Sequence, residues 1–180
     1  AYLYAKTVTL GRSQWSETNR VMLRNRRIGC SVSGVAQFIT KNGMGELQNW
    51  LEKGYDTIQK WDNQYSDWFA VPKSIKTTSV KPSGTVSLLV GATPGMHYPE
   101  SRFYIRRMRL SKHSELIEPL KKANYPLEPA FGSEDTTMVV EVPVDVGEGI
   151  RTAAELSIWE QFSLAAFLHR NWADNQVSCT

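Results

Sequence analysis

The sequence predicts an α/β protein, because short segments rich in β-branched residues alternate with longer segments of helical periodicity. Residues 26–31, 75–80 and 137–144 have strand character, and helical patterns separate them. The composition agrees with a globular chain, since 41% of the residues are hydrophobic and can form a core while 22% are charged. We therefore expect helices and strands to share a layered core.

The first third of the chain is expected to run from helix through link and strand to a second helix. Residues 1–10 have a helical pattern, and residues 13–19 form a polar link rich in Ser, Thr and Asn. The strand at 26–31 then leads into a helix through residues 35–39. Gly43 ends this helix, as a glycine near a helix carboxyl terminus often does.

A longer helix is predicted from Glu46, where apolar residues recur at spacings of three and four. Such spacing gathers the side chains on one face, and we interpret this face as core-facing rather than as a base-stacking platform. It consists of Leu47, Trp50, Leu51, Tyr55, Ile58, Trp61 and Tyr65. Pro72 closes the helix, and the strand at 75–80 follows.

The second half alternates in the same way. Residues 114–122 indicate a short helix, residues 126–135 an extended loop and residues 137–144 a strand. Thr152 and Glu155 have the spacing of a capping box, in which both side chains bond the amides at the start of a helix.

The helix that starts at this capping box is expected to continue to about Arg170. Its broad apolar side comprises Leu156, Trp159, Phe162, Ala166 and Leu168. Residues 174–180 are β-prone and are expected to form a strand directly after the helix. A helix leading into a strand repeats the α/β unit.

The most informative stretch is residues 81–95, where a strand end, a hydroxyl-rich glycine turn and a short apolar helix follow one another. The first amides of a helix have no partner within it, and the helix dipole favours negative charge. Ser83, Thr85 and Ser87 add hydroxyl donors, and Gly84 lets the backbone approach an anion. Any serine-capped turn has a similar composition. The pattern predicts a phosphate cradle at the carboxyl end of a strand, where α/β folds bind ligands.

Charge and hydropathy argue against two classes of partner. A formal charge of +3, from 21 basic and 18 acidic residues, is too balanced to predict a nucleic-acid surface. No stretch of about 18 apolar residues predicts a membrane span, and the amino terminus lacks a signal-peptide pattern, so we expect a cytoplasmic protein. Two groups of arginines are typical of solvated or salt-bridged faces. They are Arg20, Arg24, Arg26 and Arg27, and Arg102, Arg106, Arg107 and Arg109.

The two cysteines and the loop histidine predict no catalytic or metal site. Cys30 and Cys179 lie far apart, without a Cys-x-x-Cys motif or a histidine at ligand spacing. We expect both to be small buried hydrophobes in a reducing compartment. His97 has no carboxylate neighbour in the sequence and is expected at the surface or at the edge of a substrate. No catalytic residue and no metal ligand is therefore assigned to this chain.

Four blocks of the sequence, in order, resemble the large chains of ribonucleotide reductases, particularly the adenosylcobalamin-dependent (class II) kind that reduces ribonucleoside triphosphates. The blocks are NRRIGCSVSG at 25–34, KPSGTVSLLVGATPG at 81–95, RFYIRR at 102–107 and WADNQVSCT at 172–180. The resemblance implies an α/β fold that is part of the ten-stranded barrel of these chains. It also implies that residues 1–180 are an internal fragment of a single catalytic barrel domain, truncated at both ends.

The resemblance further implies a task for residues 81–95. In this family a cysteine thiyl radical formed through adenosylcobalamin abstracts the ribose 3′ hydrogen, and a cysteine pair supplies electrons that arrive from thioredoxin or a similar dithiol. The substrate-phosphate loop, carried over by position, is Ser83, Gly84, Thr85, Val86 and Ser87, with Val86 contributing only its backbone. Neither Cys30 nor Cys179 has the flanking residues of the family's catalytic cysteines.

Two alternatives stay open. The large chain of an iron-dependent reductase usually carries a Glu and a second Ser inside this loop, where the present chain has Gly84 and Val86. It also usually has a tyrosine pair near the later barrel strand, whereas residues 171–175 contain no tyrosine. Both departures favour the cobalamin-dependent class. The other alternative is a non-catalytic nucleotide-binding module that uses the same loop without chemistry.

Overall fold

The computed structural model describes residues 1–84 and 86–178, which form two compact units. The first unit is Ala1–Glu100 with Gly149–Thr180, and the second is Ser101–Glu148. That both units belong to one barrel domain stays a prediction. None of the described helices combines the length and the apolar character needed to cross a bilayer.

Helices and strands are interspersed along the described residues, as expected of an α/β chain. The helices are α1 Tyr2–Val8, α2 Ser16–Asn25, α3 Val35–Phe69, α4 Ile117–Lys122 and α5 Ile158–Asn171. The strands are β1 Arg27–Cys30, β2 Lys76–Thr78, β3 Phe103–Ser111, β4 Leu127–Pro129 and β5 Thr137–Asp145. Short 3₁₀ segments cover Val86–Val90 and Ala153–Glu155.

The first unit is built around a parallel pair, in which β1 runs beside β2 with Arg27 opposite Lys76. Val80, just beyond β2, forms a parallel bridge to Val177. Helices α3 and α5 each bury part of their apolar side chains in a core that they share with the segments following these strands. The shared core contains Val35, Leu47, Leu51, Val80, Met96, Leu164, Leu168, Trp172 and Ala173. Because the strands are parallel, the loops after β1 and β2 leave the same edge of the sheet.

Helix α3 bends at Gly43, the predicted end of the first helix, whose φ of 82° and ψ of 168° are not helical. Leu47 and Leu51 are buried as predicted, but Trp50 is 63% and Trp61 37% exposed. A helix turns about 100° per residue, so both tryptophans lie on one side of the Leu47 line and Asp62 on the other. The buried face of the helix therefore includes Asp62, which is 3% exposed. Because Asp62 is polar, it does not contribute to the apolar pattern that predicts a buried face.

The link expected at residues 13–19 is wrong, because α2 covers its second half. This helix buries none of its residues, so it lacks the apolar stripe by which a helix is detected. Its first turn is instead stabilised by an ion pair between Glu17 and Arg20, 2.7 Å apart. The helix ends at Arg26, whose φ of 47° is left-handed.

The continuous helix predicted from Thr152 is interrupted. The Thr152–Glu155 capping box is present, but it opens only the 3₁₀ segment Ala153–Glu155. A second capping box, in which the Glu160 amide donates to the Ser157 hydroxyl, starts α5. Only the first of these two capping boxes is predicted from the sequence.

The predicted apolar side of α5 is also partly wrong. Trp159 is 75% and Phe162 57% exposed, whereas Leu164 and Leu168 enter the core. The strand predicted at 174–180 is represented in the described residues by the bridge at Val177, and Cys179 and Thr180 lie outside them.

The second unit is an antiparallel sheet of order β3–β5–β4. Strand β3 pairs with β5 from Phe103 opposite Asp145 to Ser111 opposite Thr137. The extended loop predicted at 126–135 is wrong at its start, since β4 pairs there with β5. Its prolines made the segment resemble a loop, but proline is tolerated in an edge strand such as β4. Ion pairs of Arg102 and Arg107 with acidic residues confirm the salt-bridged face predicted for this arginine group.

Candidate functional site

The predicted phosphate loop follows β2 and begins with two tight turns. The Ser83 amide donates to the Lys81 carbonyl at 2.9 Å, and the Gly84 amide donates to the Pro82 carbonyl at 2.8 Å. The helix expected after the turn is the 3₁₀ segment Val86–Val90. So short a segment contributes little dipole, and any anion affinity has to come from local amides and hydroxyls.

The predicted binding residues differ in what they expose. Ser83 and Gly84 are half-buried in the turn, Val86 is 68% exposed, and Thr85 lies outside the described residues. Ser87 is 2% exposed, and its hydroxyl donates to the Ser83 carbonyl at 2.6 Å. Its amide donates to the same carbonyl at 3.0 Å. Ser87 therefore shapes the loop from inside, in the conformation described.

A second loop, between β1 and α3, lies against the first. The hydroxyls of Ser33 and Ser83 are hydrogen-bonded to each other, and the Lys81 amide donates to the Ser31 hydroxyl at 2.9 Å. Ser31 and Ser33 are not among the binding residues predicted from the sequence. Their position just after a parallel strand, and before Gly34 at the start of a helix, was the available signal.

The segment that leaves the loop passes directly under its entrance. Gly95 has a φ of 52°, and a Cβ built on it would lie 2.4 Å from the carbonyl oxygen of Lys81. The Gly95 carbonyl in turn accepts from the amide of Val35 at 3.3 Å. Only glycine fits this crossing without displacing the backbone.

Asp174 fixes the strand that leads into the loop. Its carboxylate accepts from the Tyr55 hydroxyl at 2.7 Å and from the Thr77 amide and hydroxyl at 2.9 and 2.7 Å. Burial on its own raises the pKa of Asp174, but these bonds outweigh it and hold the pKa below its ordinary value. The same carboxylate, followed by burial, raises the pKa of Tyr55 to about 12.

A buried ion pair holds the approach to β2. The Lys6 ammonium is paired with Asp62, and their side chains are 0% and 4% exposed. Asp62 also accepts from the Tyr2 hydroxyl at 2.5 Å and from the Ser74 amide at 3.0 Å. Burial on its own raises the pKa of Asp62, but the bonds from Lys6, Tyr2 and Ser74 bring it below its ordinary value. Burial and the bond to Asp62 raise the pKa of Tyr2.

The solvated or salt-bridged face predicted for the first arginine group is wrong at Arg26. This residue is 0% exposed, and its guanidinium donates to the carbonyls of Thr9 and Lys6, each at 2.9 Å. A buried guanidinium is held this way because its donors cannot reach water. Arg20 keeps the predicted exposed ion pair.

Cys30 lies beside a cleft of about 700 Å³ with mainly apolar walls, which also include Tyr2, Val32, Trp50 and Trp172. Burial raises the pKa of the Cys30 thiol, which does not favour a reactive thiolate. Cys179 lies outside the described residues. Across residues 1–84 and 86–178, no three His, Cys, Asp or Glu side chains are grouped so as to hold a metal ion.

Comparison with known proteins identifies relatives along the whole chain. No family model matches it. A probable adenosylcobalamin-dependent ribonucleoside-triphosphate reductase of Dictyostelium discoideum is 61% identical over all 180 residues, which are 24% of that protein. An adenosylcobalamin-dependent ribonucleoside-triphosphate reductase of Euglena gracilis is 59% identical over the same residues, 25% of its length.

A solved structure agrees with the sequence matches. The crystal structure of a B12-dependent (class II) ribonucleotide reductase superposes with a TM-score of 0.81 at 33% identity, covering 99% of this chain and 29% of that one. This chain is a homologue of one segment of the class II ribonucleotide reductases. It spans about a quarter of the length of the curated relatives it matches. The resemblance and the α/β fold class predicted from the class II motifs are confirmed.

Proposed function

We propose that this chain is part of an adenosylcobalamin-dependent ribonucleoside-triphosphate reductase and that residues 83–87 bind the phosphates of its substrate. The observation that carries the proposal is the 61% identity over the whole chain to a protein of that name. The loop's place at the carboxyl edge of β1 and β2 supports it, because α/β folds bind ligands at that edge.

The loop offers the groups that a triphosphate needs. Ser83 and Ser33 present hydroxyls side by side, and Lys81 is an exposed cation at the entrance. In our proposal the Thr85 hydroxyl and the backbone at Gly84 and Val86 complete the cradle, since amides and hydroxyls are good phosphate donors. Ser87 contributes indirectly, by holding the Ser83 carbonyl.

Holding the phosphates serves the chemistry by fixing the ribose. Radical abstraction requires the 3′ hydrogen to lie against a thiyl sulfur, and an anchored triphosphate restricts where the ribose can sit. The overall reaction we propose reduces a ribonucleoside triphosphate to the deoxyribonucleotide with release of water. Thioredoxin or a similar dithiol is oxidised to a disulfide in the same cycle.

The described residues do not fit a cobalamin site. Their buried polar atoms without a hydrogen-bond partner are Arg26 Nε and Thr93 Oγ1, and neither lines the 700 Å³ cleft beside Cys30. Adenosylcobalamin would supply radical initiation when bound. Its contacts belong, in this proposal, to other parts of the polypeptide.

The test is deoxynucleotide formation from ribonucleoside triphosphates by the full-length polypeptide that contains these residues, with a dithiol, with and without adenosylcobalamin. Strict dependence on adenosylcobalamin is expected. Ser83→Ala and Thr85→Ala should each raise KM by about tenfold, the worth of one hydrogen bond to a charged group. Ser163→Ala, on the exposed side of α5, is the matched control. Activity without adenosylcobalamin would overturn the cofactor assignment, and an unchanged KM in both loop variants would overturn the loop's role.

A further inference from the structure

A single side chain of α3 bridges the exit of the phosphate loop. The Oε1 atom of Gln37 accepts from the Thr93 amide at 2.9 Å, and its Nε2 atom donates to the Gly91 carbonyl at 3.0 Å. One carboxamide thus bonds a donor and an acceptor of the same short backbone segment. A carboxamide can do so because it has both an acceptor oxygen and an NH₂ donor group.

The start of α3 reinforces this contact. The Gly34 amide donates to the Thr93 carbonyl at 2.8 Å, and the Val35 amide donates to the Gly95 carbonyl at 3.3 Å. Ser33, one residue earlier, is bonded to Ser83 at the other end of the loop. The segment 33–35, which leads into α3, therefore contacts the phosphate loop at both its turn and its exit.

Few residues separate the bridged exit from the binding turn. The Ala92 amide donates to the Ser87 carbonyl at 2.9 Å, and the Gly91 amide donates to the Leu88 carbonyl at 3.2 Å. Because Ser87 is itself bonded twice to the Ser83 carbonyl, a chain of hydrogen bonds connects the backbone at Gly91 and Ala92 to Ser83. The 3₁₀ segment Val86–Val90 connects the two.

We propose that Gln37 is a positioning residue, which sets the phosphate loop for the substrate by fixing the backbone at Gly91 and Thr93. The inference rests on the proposed function and deepens it, because it assigns the loop's geometry to a residue 46 positions before Ser83 in the sequence. Gln37 itself does not touch the phosphates. Gln37 instead sets the spacing of the amides and hydroxyls that contact the phosphates.

The test compares Gln37→Leu with Gln37→Glu in the full-length polypeptide. Leu has a similar size and removes both bonds. Glu keeps the acceptor for Thr93 but places an oxygen against the Gly91 carbonyl, so it loses the second bond and adds repulsion. Gln48→Leu is the matched control, since Gln48 lies on the exposed face of the same helix and bonds only locally, to Glu52.

Binding of a ribonucleoside triphosphate by equilibrium dialysis is the first readout. We expect Kd to rise about tenfold in Gln37→Leu, as two lost hydrogen bonds imply, at least as much in Gln37→Glu, and not at all in Gln48→Leu. In turnover, KM should rise with Kd while kcat falls by a smaller factor. Amide exchange should accelerate at residues 83–93 and stay unchanged in α5, which a general loss of folding would not reproduce.

The outcomes separate the two proposals. If the unsubstituted polypeptide binds no triphosphate, the phosphate-loop function fails and the role of Gln37 fails with it. If it binds, and both Gln37 variants bind equally well, only the positioning role is overturned. Should Gln37→Leu fail to fold, Gln37→Glu decides alone, and an unchanged Kd in that variant overturns the inference.

Discussion

Replacing Gly95 by alanine should disrupt the phosphate loop more than the same change at any open glycine nearby. A Cβ at position 95 would lie 2.4 Å from the Lys81 carbonyl oxygen, so the two backbone segments have to separate by at least about 0.6 Å to reach 3.0 Å. Gly91 is the matched control, because its φ of 63° is also positive but nothing lies within 4 Å of its Cβ position.

The two variants share one cost and differ in another. A left-handed backbone costs a non-glycine residue about 1–2 kcal/mol, and Gly91→Ala has this cost alone. Gly95→Ala adds overpacking against a backbone that cannot rotate away, about 1–3 kcal/mol. Gly95→Ala should therefore open locally about 5- to 150-fold more often than Gly91→Ala, since each 1.4 kcal/mol is a factor of ten.

Native-state amide exchange in the full-length polypeptide measures this difference. The amides of Val35 and Gly34 report on it, because they donate to the carbonyls of Gly95 and Thr93. Both should exchange faster in Gly95→Ala than in Gly91→Ala. Equal exchange in the two variants would refute the crossing geometry, and so would unchanged protection of Val35 in Gly95→Ala.

Three further predictions concern the carboxylates of Asp62 and Asp174. Lys6→Met should lower the free energy of unfolding of the first unit by about 3–5 kcal/mol in urea titrations, because Asp62 stays buried without its cation. A decrease of less than about 1 kcal/mol would contradict this prediction. Folding lowers the pKa of Asp62, so its stabilisation of the fold is present above a pH of about 4 and is lost as the pH falls through the folded-state pKa. In Asp62→Asn the urea midpoint of unfolding should therefore depend less on pH in the acid range. Asp174→Asn should lower the pKa of Tyr55 from about 12, seen in tyrosinate absorbance against a Tyr55→Phe control, and no change would show that Asp174 is not its cause.

Apolar periodicity and turn chemistry carried the sequence predictions that succeeded. Strands β1 and β2, the break at Gly43 and the capping box at Thr152 all depend on neighbours in the sequence, so local patterns reveal them. Helix α2 is not predicted because it buries none of its residues, and β4 is not predicted because its prolines are typical of loops. In both cases contacts outside the segment decide the structure.

The parts of the site that sequence reasoning missed are polar and distant in sequence. Ser33 meets Ser83 across 50 positions, and Asp174 meets Thr77 across 97. Lys6 and Asp62 can be buried because they form an ion pair. Since both are polar, neither contributes to an apolar sequence pattern. Polar side chains are ordinarily predicted at the surface, and only the fold shows which of them are paired inside.

These distant contacts support the proposal that so short a loop binds an anion. Ordering one residue costs about 1–2 kcal/mol, which a flexible turn would subtract from every binding event. Here the contacts of Ser33 with Ser83 and of Gln37 with Gly91, together with the crossing of Gly95 under Lys81, order the loop when the chain folds. The cost then falls on folding rather than on binding. Substrate affinity should accordingly be sensitive to residues that never contact the phosphates, and most sensitive where one side chain bonds two points of the loop's backbone.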